Sequence, residues 1–217
     1  MVFLFLILPF GVMAGFLSVS VAYLLSKGGV SLTQTATLLA LGLVPHTWKF
    51  AWAPIADTTL SRKTWYVLAC IVSAAGIWAT GAFPPNESSL PILSIVVLVS
   101  NIAATFLGMS VESLMVYGTP ESEQGRAGGW FQAGNLGGGG LGGGAGLVMA
   151  QHLSSPWMAG AILGLACLLC AVGLLFVPEP PSAHRERSLG RSLVNVGVDL
   201  WSMAKARAGF VALFLCI

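Results

Sequence analysis

Charge is what this sequence lacks. Of its 217 residues only 8% are Asp, Glu, Lys or Arg, against about 25% in an ordinary soluble domain. A soluble fold of this length needs a polar skin, and ten basic and eight acidic residues cannot supply one. A chain that is 56% hydrophobic needs a solvent that accepts an apolar exterior, and lipid is that solvent. The other scarcities exclude more. No basic stripe is present, so no nucleic-acid partner is expected. The three histidines, His46, His152 and His184, are scattered and lack acidic neighbours at motif spacing. That argues against a membrane-embedded acyl- or glycosyltransferase. The four cysteines (Cys70, Cys167, Cys170 and Cys216) all lie in apolar runs, where small buried hydrophobes are expected. Cys167 and Cys170 have CxxC spacing, but no second pair or His cluster accompanies them. No metal, no cofactor and no catalytic residue is expected.

Long apolar runs are what is present. A helix needs about 20 mostly apolar residues to cross the bilayer core. The pattern predicts spans at Val2 to Leu25, Thr33 to Ala56, Thr64 to Phe83, Ile92 to Tyr117, Ala127 to Met149 and Pro156 to Val177. A seventh apolar run begins near Ala208 and reaches only Ile217. Such a run is too short to span, so the chain is expected to be part of a longer one. The first run is too long for a signal-peptide core and has no basic segment before it.

The loops set an orientation. Those after the even-numbered spans hold Arg62 and Lys63, then Arg126, then Arg185, Arg187, Arg191, Lys205 and Arg207; those after the odd-numbered spans hold only Lys27. Basic residues stay on the cytoplasmic side, so the N-terminus and the even-numbered loops are expected there. Between Val177 and the last run, Leu189, Leu193, Val196, Leu200 and Ala204 recur at helical spacing. That reads as an amphipathic helix on the cytoplasmic surface. Six spans, a long basic linker and a new span is the layout of a protein built from two six-helix halves. The expected divisions are a six-helix bundle over residues 1–180, the linker over 181–207 and the start of a seventh span over 208–217.

Polar residues inside the spans are the candidate pathway. A charge deep in a span costs about 2.5–3.5 kcal/mol on insertion scales. Lys49 is eight residues before Asp57, so about 12 Å from that end of span two. Glu112 is five residues before Tyr117, about 8 Å from the same side. The two can meet if spans two and four are neighbours; snorkelling or a purely structural ion pair would place them equally well. Asn101 and Glu112, eleven residues apart, return to nearly the same helix face, with Thr105 close to that stripe. Such a stripe suits a cavity or interhelical hydrogen bonding. Pro45 and Pro54 predict bends in span two. The run from Gly134 to Gly146 is no phosphate loop, because no Gly-Lys-Ser/Thr follows it. Small residues at every fourth position instead predict close helix packing. Gln132 and Asn135 either line the cavity or bond neighbouring helices.

The stretch Trp48-Lys49-Phe50-Ala51-Trp52-Ala53-Pro54-Ile55-Ala56-Asp57, followed by Ser61-Arg62-Lys63-Thr64-Trp65, resembles the span 2–3 signature of the major facilitator superfamily. More narrowly it looks like the AmpG-type muropeptide permeases and the related acetyl-CoA transporters. Glu121 to Arg126, Val177-Pro178-Glu179-Pro180 and Val198-Asp199-Leu200-Trp201 are similar to those families as well. The loop after Asp57 is shorter here, and Glu112 stands where those families often have an aspartate in span four. The resemblance implies an all-α membrane protein, the six-helix N-terminal half of such a bundle plus a truncated seventh helix. It implies alternating-access, proton-coupled uptake of muropeptides or a similar polar conjugate. The partners would be a small-molecule substrate, protons, the lipid bilayer and a C-terminal half. Lys49, Asn101, Glu112, Gln132 and Asn135 are the expected substrate and proton pathway. Asp57, Arg62, Lys63 and Arg126 are the expected cytoplasmic gate, whose charges pair in one state and release in the other. A non-transporting assembly factor of the same fold is the rival expectation.

Overall fold

The computed structural model describes residues 1–179 and, beyond them, Val194, Val198, Trp201, Ser202 and Lys205. The side chains of Phe50, Ala51 and Asp57 lie outside that description. The expected linker over 181–207, those five positions apart, and the seventh segment over 208–217 lie outside the described residues too. No strand occurs among the described residues.

Seven helices form the fold over residues 1–179. They are α1 (Val2–Lys27), α2 (Leu32–Thr47), α3 (Lys49–Thr58), α4 (Arg62–Ala82), α5 (Leu90–Gly118), α6 (124–152) and α7 (Pro156–Phe176). Local chemistry explains their starts. Ser31 and Gln34 form a reciprocal capping box at α2, with Oγ accepting from the Gln34 N–H at 3.2 Å and Oε1 from the Ser31 N–H at 3.1 Å. Ser61 caps α4 by accepting from the Thr64 N–H at 3.1 Å. Pro156 opens α7, where its missing donor costs nothing. The tight turn between α1 and α2 needs Gly29, which sits at φ +83°.

Among the described residues four helices are long and apolar enough to cross a membrane: Val2–Lys27, Arg62–Ala82, Glu87–Gly118 (α5 with the short turn before it) and Pro156–Phe176. The two other expected spans depart for different reasons. Span two is interrupted at Trp48, where the backbone takes φ −102° and ψ 10°, between Pro45 and Pro54. Its two pieces, α2 and α3, have 16 and 10 residues. Span five is long enough as α6, about 43 Å at 1.5 Å per residue, but glycine dilutes its apolar side chains. The outward faces of α4, α5 and α7 carry exposed Ile71, Trp78, Ile95, Leu165 and Leu169, the apolar exterior that lipid requires.

Packing centres on α1. It runs against α6 along most of its length and also touches α5 and α7, while α4 lies between α5 and α7 and α2 leans on α5. The α1–α6 contact is backbone against backbone. A Cβ at Gly134 would strike the Leu4 carbonyl, and one at Gly142 the Val12 carbonyl. At Gly138 it would come within 2.5 Å of the Leu8 carbonyl, and at Gly11 and Gly15 it would meet Asn135 and Gly139. Both helices contain a π-helical segment, Phe16–Val21 in α1 and Leu141–Ala145 in α6. The two lie side by side. There the buried Ser20 hydroxyl lies 3.2 Å from the carbonyls of both Gly142 and Gly143. Towards the basic end of the bundle, which carries Arg62, Lys63 and Arg126, buried Tyr66 of α4 donates to the Leu6 carbonyl at 2.9 Å.

Gly138→Ala should force α1 and α6 apart and cost about 1–3 kcal/mol, as overpacking does. Gly128 has nothing within 4 Å of a built Cβ, so Gly128→Ala should be neutral or slightly stabilising. Thermal unfolding of the full-length protein in detergent checks both; equal midpoints for the two variants would remove the steric argument.

Candidate functional site

A groove of about 460 Å³ opens between α1, α2, α5 and α6. Glycines Gly11, Gly15, Gly42 and Gly139 form part of its wall, and Ser18, His46, Asn101 and Asn135 supply its polar groups. Gly42 matters for the approach of α2 to α5: a Cβ there would come within 3.3 Å of both Asn101 Nδ2 and Val97 Cγ1, and within 2.8 Å of Leu17 Cδ2. The groove is thus shallow in side chains and bounded by helix backbone, which lets its few polar groups project.

One turn beyond His46, across the break at Trp48, Lys49 begins α3. Its Nζ lies 2.8 Å and 2.7 Å from the two carboxylate oxygens of Glu112 on α5. Spans two and four are therefore neighbours, as the meeting of these residues requires. The side chains are 33% and 45% exposed on this open face. In water such a pair would be worth only about 0–1 kcal/mol. In a low-dielectric setting the main effect of such a pair is to offset the cost of two isolated charges.

Glu112 also borders a cavity of about 110 Å³ with Arg62, Trp65, Ser110 and Ser113. Arg62 begins α4 under the Ser61 cap. Its guanidinium sits 4.8 Å from the Tyr117 ring centroid, and its Nε is buried without a hydrogen-bond partner. Its backbone N–H donates to Glu179 Oε1 at 2.9 Å, tying the start of α4 to the chain after α7. Glu112 therefore stands between two cations, one paired and one across a cavity.

The remaining expected residues are dispersed. Asn101 is buried and Asn135 half-buried, both on the groove; Gln132 is exposed on α6 and does not line it. Lys63 is half-buried in the first turn of α4. Arg126 pairs with Glu123 at 3.2 Å in an exposed position. Asp57 belongs to the last turns of α3, and its side chain is outside the described residues. His46, in sequence one of three scattered histidines, is a groove residue that sequence reasoning misses. Its place three residues before Lys49, on the same interrupted span, is the signal the sequence offers. Cys70 and Cys167 are buried free thiols, with Cys70 Sγ donating to the Cys167 carbonyl at 3.4 Å.

Removing one member of the Lys49–Glu112 pair should strand the other. Lys49→Met and Glu112→Leu should each destabilise the full-length protein, and the double variant should recover part of the loss. The expected coupling is about 1–3 kcal/mol in a thermal double-mutant cycle. Strict additivity would show that the contact carries no net interaction.

The arrangement is a groove walled by four helices, with an ion pair between α3 and α5 and a cationic cluster at one end. No curated protein gives a match to the chain. The sequence profile described as Major Facilitator Superfamily matches residues 1–217. With a wholly helical described fold and four helices able to cross a membrane, the chain belongs to the Major Facilitator Superfamily and is an integral membrane protein of the transporter type.

Proposed function

We propose that the chain is the N-terminal six-helix half of a proton-coupled, alternating-access transporter that imports a polar conjugate of the muropeptide class. The observation that supports the coupling is the Lys49–Glu112 pair, which joins α3 to α5 at 2.7 Å with both side chains part-exposed. With both groups charged, the pair is neutral and holds α3 against α5. A proton on Glu112 removes the anion and leaves Lys49 as an uncompensated cation. Lys49 then favours an anionic group of the substrate, so proton and substrate bind cooperatively. Loss of the proton restores the pair and expels the competitor. Linkage of this kind is reciprocal: whatever affinity the proton adds for substrate, substrate adds for the proton.

The basic split of the loops supports a cytoplasmic N-terminus, and with it the reading of Arg62, Lys63, Arg126 and Asp57 as a cytoplasmic gate. Arg62 faces Glu112 across their shared cavity. It is positioned to take up the carboxylate when Lys49 lets go, one way for a gate to hold two discrete arrangements. The C-terminal half would supply the opposite wall of the cavity. The muropeptide class rests on the resemblance of the Lys49 to Trp65 segment to the AmpG-type permeases.

Full-length protein in proteoliposomes should accumulate a radiolabelled N-acetylglucosaminyl muropeptide when the proton gradient is imposed inward. Glu112→Gln should lower that accumulation at least about tenfold while leaving substrate exchange between the two sides in place. Unchanged proton-driven accumulation in Glu112→Gln would sink the carrier role.

A further inference from the structure

His46 is the only titratable side chain among the described residues that line the groove. It lies in the last turn of α2, two residues before the break at Trp48. Two contacts fix its ring. Phe10 of α1 meets it edge-on, with centroids 5.5 Å apart and planes at 88°. Asn101 of α5 approaches its Nε2 through Oδ1 at 3.4 Å.

The direction of the second contact follows from a neighbouring bond. Asn101 Nδ2 lies 2.8 Å from the Val97 carbonyl. A carbonyl oxygen only accepts, so the amide nitrogen must face it and the amide oxygen must face His46. That oxygen also only accepts, so Nε2 carries the ring hydrogen. In the neutral imidazole, Nδ1 is then a bare acceptor. It has no hydrogen-bond partner among the described residues. His152 shows the common alternative for a helical histidine, with Nδ1 2.9 Å from the Val148 carbonyl one turn back. At His46 the Asn101 contact selects the other form. Ser18 strengthens the pattern, because its hydroxyl donates to the Ala14 carbonyl at 2.8 Å and leaves only lone pairs towards the groove.

We propose that His46 is a ligand-contacting residue of the transport cavity, held by Asn101 and Phe10 so that Nδ1 accepts a hydrogen bond from a hydroxyl or amide N–H of the transported molecule. The ligand therefore presents a hydrogen-bond donor to His46 on the side that faces this half. Asn101, buried and satisfied on both ends of its amide, acts through His46 as a positioning residue. This inference rests on the transporter reading above, but its first test does not.

That test is nitrogen-15 magnetic resonance of the full-length protein, histidine-labelled in lipid bilayers at about pH 8.5, where an ordinary imidazole is neutral. The His46 signals, assigned by their loss in His46→Gln, should show a bare Nδ1 and a protonated Nε2. Asn101→Leu should convert them to a mixture of the two forms. A dominant Nδ1–H ring in the wild type, or no change in Asn101→Leu, overturns the assignment. The second test is initial-rate uptake of the same muropeptide. His46→Phe keeps a ring against Phe10 but removes the acceptor, so KM should rise about tenfold or more with Vmax within about twofold. His46→Gln, which retains an acceptor oxygen, should fall between. An unchanged KM in His46→Phe overturns the ligand contact. If the wild type takes up no muropeptide while the ring has the expected form, the substrate class proposed above fails and the His46 geometry stands.

Discussion

Backbone contact between α1 and α6 is the constraint from which the rest of this half-bundle follows. In lipid there is no hydrophobic force to drive two apolar helices together, so close van der Waals contact must do it. Glycine makes that contact by removing the side chains that would separate the backbones, as Gly134, Gly138 and Gly142 do against Leu4, Leu8 and Val12. In water each glycine would weaken a helix by about 1 kcal/mol relative to alanine. A membrane suppresses that penalty, because an unwound segment there would expose unsatisfied peptide groups. The same closeness positions the site. Ser18 reaches the groove from α1 and Asn135 reaches it from α6 because the two helix axes are drawn together.

A second relation links the break at Trp48 to the charges. Upstream of it, α2 is anchored to α5 by the glycine contact at Gly42 and by His46 on Asn101. Downstream, α3 has the Lys49–Glu112 pair and fewer neighbours on α5. Packing holds one piece and electrostatics the other, so the two pieces respond to different variables. Van der Waals contact is indifferent to protonation, whereas an ion pair is not. The division of one expected span into two short helices thus separates a fixed part of the wall from a part whose attachment depends on charge.

Much of this was legible in the chain itself. The apolar runs placed the four described helices able to cross a membrane, and the fourfold glycine spacing announced the tight face of α6. The depths of Lys49 and Glu112, about 12 Å and 8 Å from the same side, let them meet only if spans two and four are neighbours, and that adjacency is a matter of packing. The break at Trp48 was harder to place, because two prolines nine residues apart each permit a bend, and only packing against α5 decides where the helix yields. His46 was overlooked because its meaning depends on Asn101 and Val97, residues distant in sequence whose hydrogen bonds choose its tautomer. The limited apolarity of α6 is a matter of composition: glycine contributes helix length and contact but little hydropathy, so a rule based on hydropathy undercounts it.

The paired π segments at Phe16–Val21 and Leu141–Ala145 have a consequence for how this protein can vary. Each π turn accommodates an extra residue and rotates everything after it relative to a regular α-helix. Because the two turns lie side by side, both helices change phase at the same level, and the faces that meet beyond Ser20 remain matched. Deleting one residue from either turn alone would rotate one face against the other. Deleting one from each would restore the match. Length changes in these two helices are therefore coupled, and α1 and α6 should gain or lose residues at this level together.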